Sequence, residues 1–354
     1  MESLINSVLG SGQPQPEAST SSDRIRIAVV GVGGAGCNTV NRLTKMGIRS
    51  ADTVAINTDA THLRIVEASR RVLIGQSITR GLGAGGFPEV AQKCAEASRD
   101  SLREVLAGSE LVFLSAGMGG GTGTGAGPVI AEVAKEQGAI VVAMVTFPFS
   151  LERARIEKAY WGIDQLKKIC DTVVIIDNNR LVSYVPNLPM NQAFQIADEI
   201  VAKAVKGISD TITLPSLVNI DFADVKAIMN NAGVAMIAVG EGKGTDKVEK
   251  AVKSTLTNPL LDVDYTGAKG ALIHIAGSPT LTLGEATTIG EKLTEAFDEN
   301  ANVIWGARLS PELEDQVVVT AIMTGITSPQ ILGKPLERQQ DAKLVLGLED
   351  INYI

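Results

Sequence analysis

Four short stretches of this 354-residue chain place residue types where they could do chemistry. Three are glycine-rich: of 36 glycines, fifteen fall in the windows 31–36, 81–86 and 117–127. The first, with Gly31, Gly33, Gly34 and Gly36, fits G-x-G-x-x-G between an apolar run and a helical pattern. Missing side chains let backbone N–H groups approach phosphate oxygens there, and the helix amino terminus adds partial positive charge. The window 117–127, GMGGGTGTGAG, holds seven glycines in eleven residues and adds the Thr122 and Thr124 hydroxyls as donors. Each glycine in a folded segment costs about half a kcal/mol or more relative to Ala, so the density reads as a phosphate loop rather than a turn. The window 81–86, GLGAGG, again precedes a helical pattern. The fourth stretch is NIDFADV at 219–225. Read locally, Asp221 is the N-cap of a helix opening at Phe222, and Asp224 complements the dipole in its first turn.

Three backbone cradles on one sheet edge fit a triphosphate better than the single pyrophosphate of NAD. No G-x-x-x-x-G-K-[ST] occurs in the chain, so main chain, hydroxyls and Mg2+ must hold the charge. An NAD-dependent Rossmann enzyme remains the contrasting expectation. It needs one glycine loop and an acid after the second strand, a role open to Asp59, and it leaves two loops unexplained.

The elements that must position these loops follow from apolar patterning. Strands are expected at 25–30, 53–56, 110–116, 139–146 and 172–177, with helical periodicity between them, as at Val40, Leu43 and Met46. Pro88 opens a helix that Gly108 closes. Such alternation predicts an α/β domain with a mainly parallel sheet buried on both faces. It spans 24–190, after a Ser-, Pro- and Gln-rich extension at 1–23 that is expected to be disordered and begins with an apolar patch, Leu4 to Leu9. A long connecting helix follows at 191–210, ending near Gly207. A smaller α+β domain is expected at 211–326, with strands at 235–240, 271–276, 302–309 and 316–325 and helices at 246–257 and 284–297. Residues 327–354 form a tail ending in LEDINYI.

Composition excludes several classes. A net charge of -8 with no Lys/Arg-rich run argues against nucleic acid as the partner. The longest apolar stretch, Ala139 to Phe147, is too short to span a bilayer, and no basic-then-apolar leader opens the chain. Three scattered cysteines, Cys37, Cys94 and Cys170, indicate neither a disulfide framework nor a zinc site, consistent with a cytoplasmic setting. His62 and His274 offer no catalytic case, and Trp161 and Trp305 read as packing.

GGGTGTG at 119–125 is the tubulin signature, and with GVGGAGCN at 31–38 and NIDFADV at 219–225 the chain resembles the tubulin/FtsZ family over residues 24–326. ERAR at 152–155 and the short tail resemble archaeal members. The resemblance implies a Rossmann-like GTPase domain, a connecting helix and a smaller activating domain. It also implies head-to-tail homopolymers in a cytokinetic ring, and GTP hydrolysis at subunit interfaces. GTP and GDP would be the nucleotides, with Mg2+ on the phosphates and K+ as a further cation. Gly33, Gly34, Ala35, Gly36, Cys37 and Asn38 would embrace the phosphates, joined by Gly120, Gly121, Thr122, Gly123 and Thr124. Asn57 would lie near phosphate and metal, and Ala84 and Gly85 in the loop that senses the γ-phosphate.

The same resemblance puts Glu152 on the ribose, Arg155 (matched across a one-residue gap, with Arg153 as the alternative) on the nucleotide, and Asn178 on the guanosine. Phe194 and Asp198 share a helix face, so a ring can stack on a base whose edge a carboxylate accepts from. Guanine offers N1–H and N2–H2 there, whereas adenine offers an acceptor. Asp221, Asp224 and Asn219 would complete the neighbouring subunit's active site. The alternative within the family is a structural GTP-binding protein that hydrolyses little, which retention of both aspartates disfavours. LEDINYI has the acidic and apolar character of a peptide that binds a membrane-anchoring adaptor.

Overall fold

The computed structural model describes residues 25–180, 187–214, 216–218, 220–229, 233–257 and 265–326. The expected disordered segment 1–23, the tail 327–354 and Asn219 lie outside the described residues. Six strands form a parallel sheet: β1 (Ile27–Val32), β2 (Asp52–Asn57), β3 (Arg70–Leu73), β4 (Leu111–Gly117), β5 (Ile140–Phe147) and β6 (Thr172–Asp177). Their spatial order is β3-β2-β1-β4-β5-β6. The order therefore reverses between β1 and β4, where Val32 lies opposite Ala116. Ligands in open α/β sheets bind outside the carboxyl ends of the strands at such a switch point.

Helices cover both faces, which is why the strands are continuous apolar runs. One face packs against α4 (Pro88–Glu96), α5 (Arg99–Leu106), α6 (Thr122–Glu136) and α7 (Arg153–Ile169). The other packs against α1 (Gly33–Lys45) and α8 (Met190–Thr213), while α2 (Ala60–Ile65) and α3 (Gln76–Thr79) lie in the β2-to-α4 connection. A second group, β7 (Gly233–Lys243), β8 (Gly270–Gly277), β9 (Asn302–Leu309) and β10 (Gln316–Thr324), continues the sheet as β7-β10-β8-β9. β10 is antiparallel to both its neighbours. β7 joins the two halves through only two register pairs, Thr172 with Gly233 and Val173 with Val234. Its alternation divides two cores. Met236 and Ala238 face α10 (Lys247–Leu256) and α11 (Leu283–Thr294), whereas Ala235 and Ile237 join the core shared with α8 and α9 (Phe222–Met229).

Two expectations are corrected. The helix expected from Pro88 to Gly108 is two helices, broken at Ala97 and Ser98, where the Ser98 hydroxyl accepts from the Gly75 N–H at 3.1 Å. α8 does not stop near Gly207 but runs to Thr213. That glycine is a point of close approach rather than a cap, since a Cβ would sit 2.5 Å from the Thr320 hydroxyl. The short edge strand β3, with two arginines in four residues and only Val72 and Leu73 apolar, lies outside the expected strands.

The window 117–127 is also less of a loop than its composition suggests, because α6 begins at Thr122. A Cβ on Gly125 would collide with the Pro88 carbonyl, so this glycine serves α4–α6 packing. Gly125→Ala is expected to destabilise the protein by about 1–3 kcal/mol, overriding the gain in helix propensity. Gly127→Ala, whose nearest contact would be Leu114 at 3.9 Å, should stabilise by up to about 1 kcal/mol. Denaturant unfolding of both variants checks the opposite signs.

Candidate nucleotide-binding site

The three glycine windows converge at the carboxyl end of β1, β2 and β4. Gly33, with φ +72°, lies so close to α6 that a Cβ would stand 2.9 Å from the Gly123 nitrogen. Gly121 would place a Cβ 3.0 Å from that of Ala84 and 3.1 Å from the Phe87 nitrogen. The first window therefore touches the third, and the third touches the second. Gly34 and Gly120 face open space, with no heavy atom within 4 Å of a built Cβ. Gly85, at φ +62°, is exposed beside the buried Ala84.

Several other expected phosphate residues also make framework contacts. Gly36 is buried where a Cβ would collide with the Ser115 carbonyl, which lets α1 lie against β4. Cys37 is fully buried; its thiol faces the Gly31 and Ile56 carbonyls, and burial pushes its pKa up to about 12. Thr124 is likewise buried, and its hydroxyl accepts from the Gly119 N–H at 2.9 Å. Ala35 and Asn38 are exposed on the first turns of α1.

Asn57 at the end of β2 is buried, and its Oδ1 accepts from the N–H groups of Thr58 (2.9 Å) and Asp59 (3.3 Å). Thr58, which the sequence reading passed over, meets Thr122 hydroxyl to hydroxyl at 2.8 Å and ties the β2 loop to α6. The Asp59 carboxylate accepts from the N–H groups of Thr61 and His62 as the N-cap of α2.

A pocket of about 430 Å3 opens between α1 and α8, lined by Asn38, Asn41, Arg42, Lys45, Phe194, Gln195 and Asp198. The four-residue spacing of Phe194 and Asp198 thus does put both side chains on one cavity. Phe194 is 40% exposed and meets Phe149 edge-on at 5.7 Å. Thr39 on α1 directs its hydroxyl at Asp198 Oδ1, 3.2 Å away. Burial pushes the Asp198 carboxyl up to about 6, against the opposing pull of Thr39 and Arg42. Glu152 accepts from the Phe149 N–H and pairs with Arg155 at 2.6 Å, while Arg153 is exposed. Asn178 is half-buried after β6, next to Asn179, whose Oδ1 accepts from the Ser150 N–H at 2.8 Å.

The acidic pair is elsewhere. Asp221 and Asp224 cap α9 reciprocally: Asp221 Oδ1 accepts from the Asp224 N–H at 2.7 Å, and Asp224 Oδ2 from the Asp221 N–H at 3.2 Å. The last residue of that helix, Met229, receives the Thr172 hydroxyl at the amino-terminal start of β6. α9 therefore packs at the end of the parallel strands opposite the glycine loops. α8 spans the distance: 24 residues at 1.5 Å each make it about 36 Å long.

A family model described as "Tubulin/FtsZ family, GTPase domain" matches residues 26–186, and one described as "FtsZ family, C-terminal domain" matches 233–327. The chain belongs to the Tubulin/FtsZ family. It is 61% identical over 304 residues to "Cell division protein FtsZ 2" of Methanocaldococcus jannaschii, covering 85% of this chain and 80% of that protein. It is 54% identical over 319 residues to the protein of the same name from Halobacterium salinarum, covering 90% and 81%. Among solved structures, "FtsZ dimer, empty" from M. jannaschii superposes with a TM-score of 0.81 at 44% identity, covering 92% of this chain and 91% of that one. Membership of this family supports binding of GTP and GDP by the chain.

The raised Asp198 carboxyl gives that site a pH dependence. On the reading that Asp198 accepts from the guanine edge, binding requires the carboxylate, which burial protonates below about 6. GTP affinity should be flat between pH 7 and 8 and fall by up to tenfold per unit below pH 6. Asp198→Asn should remove that slope; equilibrium titration across pH 5–8 measures it.

Proposed function

We propose that the protein is a GTP-dependent polymerising cell-division GTPase whose filaments grow head to tail, each subunit completing the active site of the next. The observation that carries this reading is the separation between the glycine loops and the Asp221–Asp224 pair, at opposite ends of the parallel strands. One chain holds the nucleotide and a second supplies the acids. A heterologous contact of this kind does not close on itself and builds a filament.

The division of labour follows. Main-chain N–H groups around Gly34 and Gly120 and the Thr122 hydroxyl take the phosphates, with Glu152 and Arg155 toward the sugar and Phe194 and Asp198 on the base. Thr58 and Thr122 present two hydroxyls side by side, and no group of three or more His, Cys, Asp or Glu placed to hold a metal ion occurs among the described residues. Such a site fits Mg2+ held largely by phosphate oxygens and water, as that ion prefers. The neighbour's Asp221 and Asp224, with Asn219, would polarise the attacking water, since phosphoryl transfer rests on positioning and charge stabilisation. Hydrolysis at each interface then times disassembly in a cytoplasmic ring at the division site. The LEDINYI end is proposed to contact a membrane-anchoring adaptor.

GTPase turnover per protomer measured against protein concentration tests the shared site. It should rise with assembly seen by light scattering, and a rate constant down to low nanomolar protein would contradict the proposal. Asp224→Ala should retain GTP binding and lose hydrolysis by at least about 100-fold, comparable to removing one main electrostatic stabiliser. Loss of binding instead would put the residue in its own subunit's pocket.

A further inference from the structure

His62 carries no role in the reading so far, yet its ring lies between two of the site's amides. Nδ1 is 3.3 Å from Asn57 Nδ2, and Nε2 is 3.1 Å from Asn38 Oδ1. The donor and acceptor roles along this chain follow from one end. Asn57 Oδ1 accepts two backbone N–H groups, from Thr58 and Asp59, so its Nδ2 must face the ring as a donor. Nδ1 is then the acceptor, and the ring proton sits on Nε2. That proton is donated to Asn38 Oδ1, which turns the Asn38 Nδ2 donors away from the ring. Asn38 lines the pocket beside Phe194 and Asp198, on the first turns of α1.

The ring is itself well held. Its backbone N–H is bound by the Asp59 N-cap at 3.0 Å. Asn57 also sets the Thr58 turn, whose hydroxyl meets Thr122. A single imidazole thus links α1, the β2 loop and, through that loop, α6.

We propose that His62 is a positioning residue of the nucleotide site, locking the Asn38 amide so that it presents donors rather than its carbonyl oxygen to the anionic ligand. Without the ring, Asn38 is free to turn its Oδ1 toward the phosphates, where it repels them. The inference rests on the proposed GTP site and acts on binding, because the acids assigned to hydrolysis lie at the other end of α8.

The test is a GTP titration of the full chain, at protein concentrations below assembly, for wild type, His62→Leu and His62→Gln. Each His62 substitution is made alone and with Asn38→Ala. His62→Leu should weaken binding about five-fold, the scale of one lost net hydrogen bond, and raise KM for GTP while kcat in assembled filaments changes less than two-fold. Glutamine carries one acceptor and one donor at its tip, so His62→Gln should stay within two-fold of wild type. In the Asn38→Ala background His62→Leu should add less than two-fold, since neighbours acting through one group are not additive. Unchanged affinity in His62→Leu, or an equal loss with and without Asn38, would overturn the inference. Wild type that binds no GTP would instead overturn the nucleotide assignment itself.

Discussion

Two helix amino termini, those of α1 and α6, meet at the carboxyl end of the sheet at a separation that leaves no room for a side-chain carbon between Gly33 and Gly123. Each terminus carries about half a positive charge, so bringing both to one point is unfavourable unless an anion lies over them. Apolar packing forces the approach: β1 and β4 are neighbours, and each helix must cover the sheet it has just left. The surrounding architecture can be read as holding this arrangement together. Thr58 bridges to Thr122, Asn57 braces the turn that presents Thr58, and Thr124 ties the loop to the helix at Gly119. A polyphosphate is the ligand whose charge and shape relieve the crowding.

α8 imposes the second constraint. Its amino-terminal half supplies Phe194 and Asp198 to the pocket. Val201, Ala202, Ala204, Val205 and Ile208 are buried in the core that both halves of the sheet share. A helix packed along that length acts as a rigid spacer between the pocket and the acid pair. Gly207 allows β10 to approach it closely, so the spacer is gripped by the smaller half as well. The same packing that makes the molecule one body keeps its two functional ends apart.

Much of this was legible in sequence because it depends on local pattern. Continuous apolar runs marked β1, β2, β4, β5 and β6, the glycine windows marked the switch point, and four-residue spacing put Phe194 and Asp198 on one face. What was not legible depends on segments meeting across the fold. His62, Thr58 and Thr39 each find their partners 24, 64 and 159 residues away, and no spacing announces that. Glycine was ambiguous for a physical reason: a cap, a phosphate cradle and a close helix contact all require the missing Cβ. Hence Gly207 resembled a helix end when it serves packing, and Gly36 and Gly125 lie in glycine windows where the missing Cβ also lets helices approach closely.

The acidic pair shows that a local structural role and a functional one need not compete. In the reciprocal cap, Asp221 uses Oδ1 and Asp224 uses Oδ2, and a carboxylate has a second oxygen with lone pairs of its own. Capping fixes both side chains on the first turn of α9 and limits their rotamers, so the remaining oxygens are held in a defined relation. An acid that must polarise a water across a subunit boundary needs such restraint, because freedom there would have to be lost at every association. On the proposed shared site, the N-cap is therefore what would make the pair suitable for catalysis in a neighbour.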